Sequence, residues 1–296
     1  MIEPQPDTVE RMQPLPLRRF AHSAMGCTFE VWLAEQDASY AGQAARAAFA
    51  LLDGLERELS RYIPTSDVAR INALRPGERI RVAIEVIECL QLATRVCDET
   101  GGAFDVAFRS RRDPASPPQP ALELDAHTHS VGVRHEGVQI DLGGIGKGYA
   151  IDRMVETLRD WSIAAGLIHC GQSTVFALGR PADDQDWSVA LRDPLRQERS
   201  LGVVRVRDAA LSGSGRRLHG DHIVDPRTGQ PVTDRLAAWA LAPSAALADA
   251  LSTAFMVMST AELERYVSEH PEVSALIVRG DSGREDRTHF GPGLVI

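Results

Sequence analysis

DLGGIGKGYAID, residues 141–152, joins an apolar run, VGVRHEGVQI, to a helical one. Four glycines and one lysine stand in twelve residues. A glycine turn that opens a helix presents backbone amides without internal partners, and these carry a partial positive charge. Lys147 adds a full charge, so an anion such as a phosphate is a natural guest. The alternative is a tight strand–helix connection whose glycines only permit close packing. Two familiar phosphate motifs fail by count. A Walker A loop ends in Gly-Lys-Ser/Thr, but Gly148 follows Lys147. A dinucleotide fingerprint is spaced G-x-G-x-x-G, but Gly144, Gly146 and Gly148 are spaced G-x-G-x-G.

Outward from this turn the chain reads as a mixture of helices and strands. Strands are expected at 28–34, 137–142, 166–171, 174–179, 187–193, 201–208, 237–243, 274–279 and 289–296. Helices are expected at 41–62, at 83–102 closed by Gly101 and Gly102, from about Gly148 to Trp161, at 244–259 with Ser244 as N-cap, and at 260–270. Residues 109–124 read as a Pro-rich loop, and residues 1–18 as a flexible leader. The elements do not alternate strictly. The expected fold is therefore α+β: a single domain over 19–296, with a mixed, largely antiparallel sheet flanked by helices.

Composition narrows the function. The 296 residues carry 32 basic and 41 acidic side chains, a net charge of −9, with no basic block. A nucleic-acid partner is disfavoured. Cys27, Cys89, Cys97 and Cys170 form no C-x-x-C pair and read as separate buried or incidental thiols. No run of about 18 apolar residues is present, so no membrane span is expected. The N-terminus lacks an apolar signal region, which places the chain, as written, in the cytoplasm.

Three further segments carry candidate chemistry. In ADALSTAFMVMS, residues 248–259, Asp249, Ser252 and Thr253 share one face of an apolar helix. Buried, Asp249 needs a partner or a metal; such oxygen donors suit Mg²⁺. The alternative is a surface Asp with a Thr bonded back to its helix. In HIVDPRTGQPV, residues 222–232, Asp225, Pro226 and Gly229 are turn formers, and His222 before the turn is placed to act as a general base. In TGGAFDV, residues 100–106, Ala103, Phe104 and Asp105 follow a helix cap and can meet a flat heterocycle.

These segments, with SAMGCTFEV (23–31) and LSRYIPTSDVARIN (59–72), occur in one order. Together they resemble the blocks of the ApbE-type flavin transferases (FAD:protein FMN transferases) over roughly residues 20–295. The resemblance implies a flavin site formed by Met25, Tyr62, Ala103, Phe104, Asp105, Asp141, Lys147 and Ile223. It implies Mg²⁺ held by Asp249, Ser252, Thr253 and the carbonyl of Gly144, and His222 as activator of an acceptor hydroxyl. FAD is then the substrate, and the FMN half passes to a Ser or Thr of an acceptor protein with release of AMP. Hydrolysis of FAD to FMN and AMP, or flavin binding without turnover, are the alternatives. Many family members are exported. The sequence departs from the family pattern at Cys27 (for Thr), at Leu211 (for Thr, with no Tyr following), at Gln172 (for Gly), and in a short segment after Asp105.

Overall fold

The computed structural model describes residues 16–110, 120–171, 173–181, 185–193, 199–215, 223–281 and 284–294. The expected leader lies almost entirely outside these residues. Among them every strand pairing is antiparallel. The fold class expected from the sequence is the one observed.

The central sheet has eight strands in the order β1-β2-β6-β7-β10-β11-β12-β13. These are β1 (Leu17–Ala24), β2 (Cys27–Ala34), β6 (Gly166–Cys170), β7 (Thr174–Leu178), β10 (Ala209–Gly215), β11 (Arg235–Ala242), β12 (Ser274–Asp281) and β13 (Arg284–Phe290). β1 and β2 form a hairpin whose two turn residues, Met25 and Gly26, both have positive φ (50° and 71°). That twist suits the flanking strands. Phe29, Val31 and Leu33 of β2 alternate inward and are fully buried.

Helices cover one face. α1 (Ala38–Leu59) is capped by Asp37 and buries Ala41, Ala44, Ala45, Ala48, Leu52 and Leu55 at helical spacing. α4 (Gly146–Asp160) lies between α1 and α5 (Ala245–Val257), and α5 packs on β10 and β11. Ser244 caps α5, its Oγ accepting from Leu247 N at 3.3 Å. Arg235, itself buried, donates to the carbonyls of Phe255 and Met258 at the other end of α5. Outside this layer lie α2 (Asp67–Asn72), α3 (Ile84–Glu99), α6 (Thr260–Glu269) and a small sheet of β3 (Arg79–Arg81), β5 (Ser130–Val133) and β4 (Leu122–Asp125). A two-stranded ribbon, β8 (Trp187–Arg192) with β9 (Ser200–Val206), forms a second core with Leu211, Leu276 and Val278 of the sheet.

Several expected elements are corrected. Residues 137–142 join no ladder, and Gly137 turns the chain with φ 71°. Their backbone is satisfied elsewhere: Gln139 N by Ser110 Oγ (3.0 Å), Ile140 N by Asn72 Oδ1 (2.6 Å) and Asp141 N by Val106 O (2.8 Å). The expected loop 109–124 ends in β4, and its residues 111–119 lie outside those described. The terminal strand stops at Phe290, because Gly291 turns the chain with φ 77°. β1 and β10 were not expected: neither has an apolar run, and β10 reads AALSGSG.

Candidate active site

The site is built where α4 crosses α5. The crossing is close because residue 148 has no side chain: a Cβ there would stand 2.2 Å from Ala245 O. Two carboxylates then clamp the helices reciprocally. Asp249 Oδ2 on α5 accepts from Gly148 N at 3.1 Å. One turn further along α4, Asp152 accepts from Ala245 N (2.7 Å) and Ala246 N (2.9 Å), the first amides of α5. Asp152 therefore positions the helix that carries Asp249, Ser252 and Thr253. Burial outweighs these two amide bonds and pushes the Asp152 carboxyl up to about 6.

Asp249 is 5% exposed, so its charge needs partners. Oδ1 accepts from Thr174 Oγ1 at 3.2 Å and Ser212 Oγ at 3.4 Å. A hydroxyl network extends outward from it: Ser212 to Ser252 (3.3 Å), and Ser214 to Ser252 (2.9 Å) and Thr253 (3.3 Å). The Asp249 charge raises Lys147 above the usual lysine range, so that ammonium stays protonated. Lys147 Nζ donates to Gly143 O at 2.8 Å, leaving further N–H directions on an amine that has three.

The glycine turn is placed against this cluster. A Cβ at Gly144 would meet Phe104 Cε2 at 3.2 Å and Thr253 Oγ1 at 3.4 Å, so three residues singled out from separate segments adjoin. The helix amides play a different part from the one expected. Gly146 N is bonded to Leu142 O (2.7 Å) and Gly148 N to Asp249. These two donors are occupied within the protein, and the positive side chain that the turn itself carries is Lys147.

The remaining residues are arranged around the turn. Asp141 accepts from Gly143 N (3.0 Å) and pairs with Arg109 (3.1 Å) and Arg61 (3.3 Å). Its carboxylate is thus held by two guanidinium groups. Ala103 and Phe104 are buried, while Asp105 Oδ1 accepts from Ala107 N at 2.8 Å in a local turn. Tyr62 is 77% exposed, with Arg61 stacked over its ring at 4.3 Å, an open flat surface. Met25 occupies the β1–β2 turn and donates its N–H to Glu56 Oε1 at 2.8 Å. Ile223 is buried, and its carbonyl accepts from Val232 N at 3.0 Å, closing the 223–232 turn. Arg227 of that turn lays its stem 3.5 Å from the Cβ position of Gly102 and bonds Asp225 and Glu262. His222 and Gln172 lie outside the described residues.

Sequence reasoning missed Thr174, Ser214, Arg61 and Asp152. For Ser214 there was a signal: Ser212 and Ser214 are two apart, the period that puts side chains on one face of a strand. The glycines of β10 hid it. The departure at Leu211 takes no donor from the cluster, because Leu211 faces the second core.

The site thus gathers hydroxyl oxygens, one buried carboxylate, a lysine and a close glycine turn on an α+β scaffold. Among the described residues no three His, Cys, Asp or Glu side chains gather as a metal cluster. Comparison with known proteins agrees in fold and family. The family model for the ApbE family matches residues 25–277. An FAD:protein FMN transferase of Treponema pallidum is 30% identical, covering 85% of this chain and 80% of its own. One from Salmonella typhimurium is 26% identical over 88% and 83%. Among solved structures, the apo form of Pseudomonas stutzeri flavinyl transferase ApbE superposes with a TM-score of 0.79 at 24% identity, over 94% of this chain and 98% of that one. The flavin transferase ApbE from Vibrio cholerae gives 0.80 at 21% identity, with the same coverage. The chain belongs to the ApbE family.

Proposed function

We propose that this chain transfers the FMN half of FAD to a Ser or Thr hydroxyl of an acceptor protein, releasing AMP, with Mg²⁺ required. The observation that supports it most directly is the adjacency of Gly144, Phe104 and Thr253 beside the buried Asp249. It brings a surface for a heterocycle next to oxygen donors and a lysine. The relatives named above are FAD:protein FMN transferases.

The donor chemistry fits a hard cation. Asp249, Thr253, Ser252 and the Gly144 carbonyl are the groups that would hold Mg²⁺. With a single carboxylate, they leave coordination positions for substrate phosphate. When bound, Mg²⁺ supplies neutralising charge at the pyrophosphate. The protein's own residues do the rest. Lys147 presents a fixed ammonium to the phosphates, and Asp249 keeps it protonated. Phe104 and Tyr62 offer flat surfaces to the flavin, and Met25, Ala103, Asp105, Asp141 and Ile223 frame it. His222 takes the proton of the acceptor hydroxyl as its oxygen attacks the phosphorus of the FMN half. The bond from that phosphorus to the AMP oxygen breaks, and AMP departs.

The test is incubation with FAD, Mg²⁺ and candidate acceptors, followed by in-gel flavin fluorescence and analysis for AMP. AMP with a fluorescent acceptor supports transfer. AMP with free FMN makes the chain a pyrophosphatase, and no AMP makes it a flavin binder. His222→Asn should lower transfer about 10²–10⁴-fold while leaving FAD binding in place. If binding collapses instead, His222 is not the base.

A further inference from the structure

β2 begins at Cys27, directly after the Met25–Gly26 turn, and pairs with β6 so that Phe29 faces Cys170. Cys27 is two residues before Phe29. It therefore lies on the same sheet face as Cys170 and is its diagonal neighbour. The strands are tightly joined here: Gly171 N donates to Thr28 O at 2.8 Å, and a Cβ at Gly171 would stand 3.7 Å from that of Cys27. Two cysteines that look unrelated in sequence are thus neighbours on one face of the sheet, and each affects the other's ionisation.

They differ in a useful way. Cys27 is partly exposed and Cys170 fully buried. The neighbouring Cys170 thiol lowers Cys27 from the usual thiol range and the charge of Lys147 adds to this, against burial and the Asp249 charge. Its neighbour Cys27 and burial raise Cys170. A partly exposed cysteine lowered toward the thiolate, beside a second thiol, is the arrangement of an attacking and a resolving cysteine. Cys89 contrasts with it: fully buried and pushed up to about 12 by burial. Neither member of the pair is locked in mid-ladder. Cys27 starts its strand after Gly26, and Cys170 ends its strand before Gly171, both glycines having positive φ.

We infer that Cys27 and Cys170 form a redox modification site, converted by a peroxide to an intramolecular disulfide that ties β2 to β6 beside Lys147. The Cys27 thiolate attacks one peroxide oxygen, the O–O bond breaks, and Cys27 becomes a sulfenic acid; the departing hydroxide takes up the proton that the thiol had lost and leaves as water. The Cys170 thiol then attacks the Cys27 sulfur, forming the S–S bond and releasing a second water. Two thiols are oxidised and one peroxide is reduced.

The reduced full chain is treated with hydrogen peroxide, blocked with a maleimide, and examined by intact mass and peptide mapping. The expected product has lost two hydrogens, carries two fewer maleimides and joins the Cys27 and Cys170 peptides; dithiothreitol reverses it. Cys170→Ser should leave a sulfenic acid on Cys27 that dimedone traps, and a Cys89→Ala, Cys97→Ala double variant should still cross-link. Oxygen uptake at Cys27 without a cross-link, or a bond that joins other cysteines, overturns the inference. So does a wild-type chain whose thiols are all blocked after peroxide. The mass readout needs no transferase activity, so it stands or falls independently of the proposed reaction.

Discussion

Asp249 of α5 accepts a hydrogen bond from the backbone amide of Gly148 on α4, at 3.1 Å. The bond is possible because Gly148 lets the helices approach until Ala245 O lies where a Cβ would be. The glycine of the turn and the acid of the apolar helix, which the sequence offers as separate signals, are one structural unit. Asp152 returns the interaction a turn later by capping Ala245 and Ala246.

Gly148→Ala tests the closeness of that crossing. The added methyl meets backbone at 2.2 Å, and backbone cannot rotate aside. The helices must separate, at a cost of about 3 kcal/mol or more. Urea unfolding measures this. A variant within about half a kcal/mol of wild type would mean that the crossing is loose.

Asp249→Asn keeps the size of the side chain and removes its charge. Mg²⁺-dependent AMP release should fall by an amount corresponding to several kcal/mol, on the order expected for loss of a charged ligand. Circular dichroism should show the fold retained. Unchanged turnover with unchanged Mg²⁺ dependence would remove Asp249 from the proposed cation site.

How much of this was legible before the structure depends on the kind of signal. α5 was readable because Ser244, the apolar run and the Asp249–Thr253 spacing agree at the level of one helix. The residues that complete the Asp249 shell were not, since Thr174 and Ser214 come from other strands, and only the sheet order brings those strands together. Residues 137–142 have a strand-like sequence, yet their partners are the side chains of Asn72 and Ser110 and the carbonyl of Val106. Alternation records burial on one side and says nothing of whether a neighbouring strand exists. The Cys27–Cys170 contact is invisible to spacing rules for the same reason.

Asp152 gives a pH signature. Its folded-state value, about 6, lies above the ordinary Asp range because of burial. Its contribution to stability is therefore fully present below the unfolded value near 4 and is lost as pH rises through about 6. Asp152→Asn cannot titrate. The stability of wild type relative to this variant should decline between pH 4 and pH 7, measured by denaturant unfolding across that range. A difference that stays flat or grows with pH would show that Asp152 ionises as an ordinary carboxyl.

The last prediction separates phosphate recognition from flavin recognition at the glycine turn. Lys147→Met keeps an aliphatic stem and removes the charge proposed to meet the phosphates. FAD should bind at least about tenfold more weakly, a loss of about 1.4 kcal/mol, whereas riboflavin, which has no phosphate, should bind as before. Gly144→Ala acts differently. Its methyl stands 3.2 Å from Phe104 Cε2 and 3.4 Å from Thr253 Oγ1, so it presses on the proposed flavin surface and on the hydroxyl cluster together. Both ligands should weaken in that variant. Calorimetry with FAD and riboflavin on the two proteins decides the matter. If Lys147→Met weakens both ligands equally, or neither, the turn is a packing device between the sheet and α4, and Lys147 serves only to balance the buried charge of Asp249.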